Sequence, residues 1–190
     1  MEFDRDERTK RTSSMEGTER SKGKTSSSSS SSISTYKSDS SEKSFLRNVR
    51  EGELRSWCAP MVGASELAFR MFVRTLGVRV TSTPMIYAEG FVRSESYRRE
   101  FKFAPADRPL ILQICTKDPE SAAKATRLVE DLGQADAIEL NVGCPQRCAR
   151  KGGWGAFLMR DPDRLCSVVE AMIAERRRLP VFVKMRVYEE

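Results

Sequence analysis

The chain has 190 residues, with 33 Lys+Arg against 27 Asp+Glu, a formal charge of +6 and no histidine. A length of this order suits one domain, the modest basic surplus is compatible with a nucleic-acid partner or simply with a solvated surface, and no apolar run approaches the roughly 20 residues of a membrane span. Five cysteines, an odd set with no secretory signal, point to a reduced intracellular compartment, and the acids Asp4, Asp6, Glu7, Glu16 and Glu19 argue against an organelle transit peptide.

From Met1 to about Arg50 serine, lysine, arginine and glutamate dominate, and Ser26–Ser32 is an unbroken serine run. Such a segment buries too little apolar surface to offset the entropy of ordering it, so residues 1–50 are expected to be a disordered tail. Residues 51–190 read as globular, with about 140 residues to build a core. Apolar runs predict strands at Trp57–Val62, Val80–Tyr87, Leu110–Cys115, Ala137–Val142 and Val181–Val187. Between the first two, Leu67, Met71, Phe72 and Leu76 fall at helical spacing over Ser65–Leu76. Phe91–Phe101 is charged and less clearly helical. Asp118-Pro119-Glu120 supplies a cap, a first-turn proline and a first-turn acid; Ala122, Ala125, Leu128, Val129 and Leu132 continue the stripe and Gly133 ends it. Asp161-Pro162-Asp163 repeats the start signal before Leu165, Val168, Val169, Met172 and Ile173.

Strands alternating with helices predict a parallel sheet with crossover helices, either a doubly wound open sheet or a (β/α) barrel. Polar residues sit where strands end: Gln113, Asn141, and the pair Lys184 and Arg186. That is where a barrel builds its active site. Two apart on a strand, Lys184 and Arg186 would share a face, which suits an anionic or electron-rich ligand and equally suits a strand running out into solvent.

The loop Asn141-Val142-Gly143-Cys144-Pro145-Gln146-Arg147, continuing to Gly152-Gly153-Trp154-Gly155-Ala156-Phe157-Leu158, lies between a strand and a capped helix. Its glycines permit a backbone approach that a side chain would block. Without histidine, Cys144 lacks a partner for a Cys–His nucleophile, and the spacing of Cys144 and Cys148 is not that of a zinc site, so no metal is expected. A general acid and a plain buried thiol both remain open for Cys144.

These motifs, with Ala59-Pro60-Met61-Val62, Thr83-Pro84-Met85, Asp107-Arg108-Pro109-Leu110-Ile111 and Val183-Lys184-Met185-Arg186, resemble the catalytic domain of the tRNA-dihydrouridine synthases over Cys58–Tyr188. The Cys-Pro-Gln and Gly-Ala-Phe-Leu details, with Phe91-Val92-Arg93 and Tyr97-Arg98, resemble the eukaryotic branch that acts on D-loop uridines 16 and 17. The resemblance implies a (β/α)8 TIM barrel that uses FMN and NADPH to reduce tRNA uridine to 5,6-dihydrouridine, in the cytoplasm or the nucleus. It implies that Pro60 and Met61 line the flavin through their backbone, that Gln113 and Asn141 bond it, and that Lys184 stands near its pyrimidine edge. It further implies that Asn141 and Arg186 contact the uracil, or in the case of Arg186 its phosphate, and that Cys144 donates the proton. A thiol suits that role, being largely protonated near pH 7 yet able to give up its proton. The family's remaining strands, its later histidine and its helical tRNA-gripping domain have no counterpart here. The expectation is therefore a barrel truncated after about the fifth strand, too short to act alone. Two other readings stand beside it: another FMN barrel that reduces free pyrimidines, and a non-catalytic half-barrel with weak RNA binding. Oligomeric state is not legible.

Overall fold

The computed structural model describes residues 42–187. In chain order its elements are α1 (Glu42–Arg50), β1 (Trp57–Cys58), α2 (Leu67–Thr75), β2 (Val80–Ser82), β3 (Ile86–Tyr87), α3 (Ala88–Arg93), α4 (Glu95–Glu100), β4 (Leu110–Cys115), α5 (Pro119–Leu132), β5 (Ala137–Val142), α6 (Arg147–Gly152), a 3-10 helix (Gly155–Arg160), α7 (Pro162–Glu175) and β6 (Val181–Met185). Every strand pairing among the described residues is parallel; β1, β2, β4, β5 and β6 lie side by side in that order, and β3 extends β2 along β4.

This order never reverses, as a doubly wound sheet would at its switch point. The rings of Trp57 in β1 and Phe182 in β6 lie 6.0 Å apart. Four inter-strand steps would separate those strands by about 19 Å in a flat sheet. The sheet is therefore curled, and its first and last described strands meet across a concave inner face. This is the geometry of part of a (β/α) barrel.

Side-chain alternation gives each strand an outer and an inner face. Leu112, Ile114, Ile138, Leu140 and Val142 point outward into the main core, where Ala122, Ala125 and Val129 of α5 and Val168 and Met172 of α7 cover them. Both long helices start as the sequence predicts, with Asp118 accepting from Ser121 N (2.9 Å) and Asp161 from Arg164 N (3.0 Å). Gly133 ends α5 at φ 63°.

The inner face is apolar at its base and polar at its mouth. Val80, Ile111, Ala137 and Phe182 form the base. Here one expectation needs correcting. Residues 1–41 of the tail expected to be disordered lie outside the described residues, but its last nine residues form α1. Phe45 is buried, and with Leu46 and Val49 it packs on that base beside Leu54. The rings of Phe45 and Phe182 are 6.0 Å apart. Averaging the composition over 50 residues hid this apolar edge.

Three further differences have local causes. The run Val80–Tyr87 is split, because Ser82 pairs with Ile111 and Ile86 with Ile114, four residues against three. That is a one-residue bulge at Thr83-Pro84-Met85, where proline has no N–H to give the ladder. The Thr83 hydroxyl instead accepts Gln113 N at 3.1 Å. In α2 the buried residues are Arg70 and Val73, leaving Phe72 and Leu76 exposed. Arg70 and Arg74 turn inward to the buried Asp107 at 2.7 and 3.0 Å, a reason that hydrophobic spacing cannot register. Finally, Phe91–Phe101 falls in two short helices, α3 and α4, with Ser94 accepting from Tyr97 N at 3.2 Å between them.

Candidate active site

The polar mouth of the inner face opens into a pocket of about 550 Å³, within the range of roughly 300–1,000 Å³ usual for small-molecule sites. Of the residues singled out from sequence, Pro60, Gln113, Asn141, Cys144, Lys184 and Arg186 line it. Met61 does not. Its backbone is held in the turn after β1, where its N–H donates to Ser65 Oγ (2.9 Å) and its carbonyl accepts from Ser65 N (2.9 Å). Lys184 is in β6 beside Asn141 of β5. Arg186 follows the end of β6 rather than lying within it, and its guanidinium reaches Gly143 O only at 3.5 Å.

One chain of hydrogen bonds runs up the inner face. Gln113 Nε2 donates to Glu139 Oε1 (2.5 Å), and Asn141 Nδ2 donates to Gln113 Oε1 (2.9 Å). Asn141 Oδ1 then accepts Gly143 N (3.1 Å) and Cys144 N (3.0 Å). This order assigns both amides: each has one N–H committed to the chain and one left for the pocket. Cys144 is held from its other side as well, since its carbonyl accepts Ala156 N at 3.0 Å. Gly155 has φ +62°, and a Cβ there would lie 2.6 Å from Cys144 O. The half-buried Cys144 is thus fixed at the lip between Asn141 and the Gly155-Ala156 backbone.

Glu139 is a site residue that the sequence reading did not single out. It is buried one rung below Asn141 on the same face. Burial pushes its carboxyl above the usual range, and the Gln113 hydrogen bond and the Lys184 charge pull the other way. Its signal was an acid two residues before Asn141 in an otherwise apolar strand. Met85 and Gln146 also line the pocket; the first sits in the bulge, which apolar patterning does not reveal. Among the described residues no three His, Cys, Asp or Glu side chains stand together as a metal site, and no helix is long and apolar enough to cross a membrane.

A family model described as dihydrouridine synthase matches residues 57–190. A rat protein named tRNA-dihydrouridine(16/17) synthase [NAD(P)(+)]-like is 44% identical over 142 residues, covering 73% of this chain and 32% of that protein. The Saccharomyces cerevisiae tRNA-dihydrouridine(16/17) synthase is 39% identical over 136 residues, 70% of this chain and 31% of that one. A mouse protein named for positions 20a and 20b is 37% identical over 152 residues, covering 78% and 46% respectively. The chain thus spans about a third of the length of the 16/17 relatives.

Proposed function

This chain belongs to the dihydrouridine synthase family, and on that premise we propose that its pocket is the base-reducing site of an FMN-dependent, NADPH-consuming tRNA synthase that converts D-loop uridine to 5,6-dihydrouridine. The names of the 16/17 relatives support positions 16 and 17 over others. A tRNA substrate is in keeping with a cytoplasmic or nuclear location.

The residues present fit a flavin. The ring system is flat, with a polar edge of alternating carbonyls and nitrogens. The pocket supplies amide hydrogens from Gln113 and Asn141 that are not used elsewhere, the exposed ammonium of Lys184, and apolar walls at Pro60 and Met85. Bound there, FMN would supply the hydride for one carbon of the uracil double bond, itself reduced by NADPH. Asn141 would orient the base through its remaining N–H, and Arg186 would bind the uracil or its phosphate. Cys144 Sγ would give its proton to the neighbouring carbon and recover one from solvent at the open lip. A uridine in a single-stranded loop can be flipped into such a pocket at low unstacking cost.

The observation that carries this reading is the clamping of Cys144 between Asn141 and Ala156 at the pocket's edge. Cys144→Ala in the full-length protein is expected to retain flavin, scored by its visible absorbance, while dihydrouridine in the tRNA, scored by mass spectrometry, falls to background. Undiminished reduction by that variant rules Cys144 out as the proton donor. A parent protein that reduces free uracil but not tRNA overturns the substrate.

A further inference from the structure

A second recess, of about 460 Å³, opens at the same mouth and shares Val62, Met85 and Gln146 with the first pocket. It lies on the β3–β4 side, where Tyr87 pairs with Cys115. Its walls are the rings of Tyr87, Tyr97 and Trp154. Tyr87 is 42% exposed, whereas Trp154 is only 6% exposed, and their centroids lie 6.3 Å apart at 54°. The indole is seated over Gly152, where any Cβ would collide with it. Tyr97 is set by its hydroxyl, which accepts Tyr87 N at 3.3 Å. The recess is therefore built by backbone and ring packing, with Tyr87 as the accessible platform.

It offers free donors. Among the described residues the Tyr87 hydroxyl, the Tyr97 hydroxyl hydrogen and the Trp154 indole N–H have no acceptor. The helix on one side of it is basic. Helix α6, which contributes Cys148 and Gly152 to the wall, also carries Arg147, Arg150 and Lys151, all exposed and none ion-paired among the described residues. The Tyr87 phenol itself feels the negative charge of Glu89 more than the positive charge of Arg93 of α3; one Glu89 oxygen accepts a hydrogen bond from the Thr116 hydroxyl at 2.6 Å and the other has no partner among the described residues. A ring platform, free donors suited to carbonyl oxygens, and unpaired cations match the chemistry of a nucleobase on a phosphodiester strand.

We propose that this recess is a second nucleobase subsite, which takes the unstacked base of a nucleotide next to the uridine held in the first pocket. The proposal rests on reading the first pocket as a site for uridine in RNA. The shared wall of Val62, Met85 and Gln146 places the two bases as neighbours, so the pair of recesses would prefer a strand over a free base.

The test uses the full-length flavin-loaded protein and tRNA transcripts with 2-aminopurine on either side of the target uridine. Stacking on Tyr87 is expected to change the probe's fluorescence on binding. Tyr87→Ala should abolish that change and weaken transcript binding about tenfold, as loss of one base–aromatic stack does. Tyr87→Phe should restore both. Uridine 5′-monophosphate, which has no neighbour, should bind Tyr87→Ala and the parent alike. Equal transcript affinity and equal fluorescence in Tyr87→Ala overturn the subsite. So does a fall in melting temperature with unchanged RNA binding, which would mean that protein fills the recess. If the parent itself neither binds nor reduces the transcript, it is the reading of the first pocket that fails.

Discussion

Gln113 donates to Glu139 across 2.5 Å of the concave inner face, and the order of every amide above that bond follows from it. Glu139 has only acceptors to offer when ionised, so Gln113 must present Nε2 downward and Oε1 upward, and Asn141 must present Nδ2 to Gln113 and Oδ1 to the Cys144 loop. Glu139→Leu removes the acceptor and leaves a buried N–H unsatisfied, at a cost of about 1–3 kcal/mol. The Gln113 amide is then free to turn, and flavin affinity and the alkylation rate of Cys144 should both change. Glu139→Gln keeps an oxygen in place and should resemble the parent in both readouts. Identical behaviour of the Leu and Gln variants would refute the positioning role.

The same residue gives stability a pH dependence. Burial raises the folded-state pKa of Glu139 above its ordinary value of 4.5. A raised carboxyl contributes stability that is complete below the unfolded value and is lost as pH rises through the folded one. Glu139→Gln cannot ionise and escapes that loss. Its melting temperature relative to the parent should therefore be highest at neutral pH and should fall as pH is lowered towards 4.5. A difference independent of pH would mean that Glu139 does not titrate in this range.

Gly155 tests the clamp on Cys144 from the other side. Alanine there meets φ +62° and the Cys144 carbonyl at 2.6 Å. The left-handed backbone alone costs about 1–2 kcal/mol, and the clash displaces the loop rather than a flexible side-chain tip. Gly155→Ala is expected to retain the far-ultraviolet circular dichroism of the parent but to lose at least tenfold in tRNA reduction. Parent-like activity would show that the loop tolerates the shift.

Much of this was legible in sequence because it is local. Asp118-Pro119 and Gly133 bound α5 by capping and by left-handed backbone, which depend only on neighbouring residues. Strand-end polarity brought Gln113, Asn141 and Lys184 together because alternation and parallel register are regular. What was not legible depends on distant partners. Arg70 is buried because Asp107, far along the chain, receives it; α1 is ordered because Phe182 lies across the barrel. Met61, expected beside the flavin from a short motif, lies between the pocket residues Pro60 and Val62, its backbone engaged by the Ser65 turn, a contact that the motif does not encode.

Glu130 links the outer helices to the pocket. Its carboxylate accepts the backbone N–H groups of Arg177 (2.8 Å), Arg178 (2.7 Å) and Leu179 (2.8 Å), which lead directly into β6 and Lys184. Burial pushes this carboxyl up, but the three N–H groups and the Arg177 charge outweigh it, and the net shift is downward. A lowered carboxyl contributes stability above its unfolded value, lost as pH falls through the folded one, so the contribution should persist at neutral pH and fade as pH falls below the ordinary glutamate value of about 4.3. Glu130→Gln keeps one acceptor oxygen and loses the charge. It should cost about 1.5–3 kcal/mol at pH 7 in urea denaturation and become nearly neutral at acid pH. A cost that is equally large at both extremes would mean that the shape of the side chain, rather than its charge, holds residues 177–179 in place.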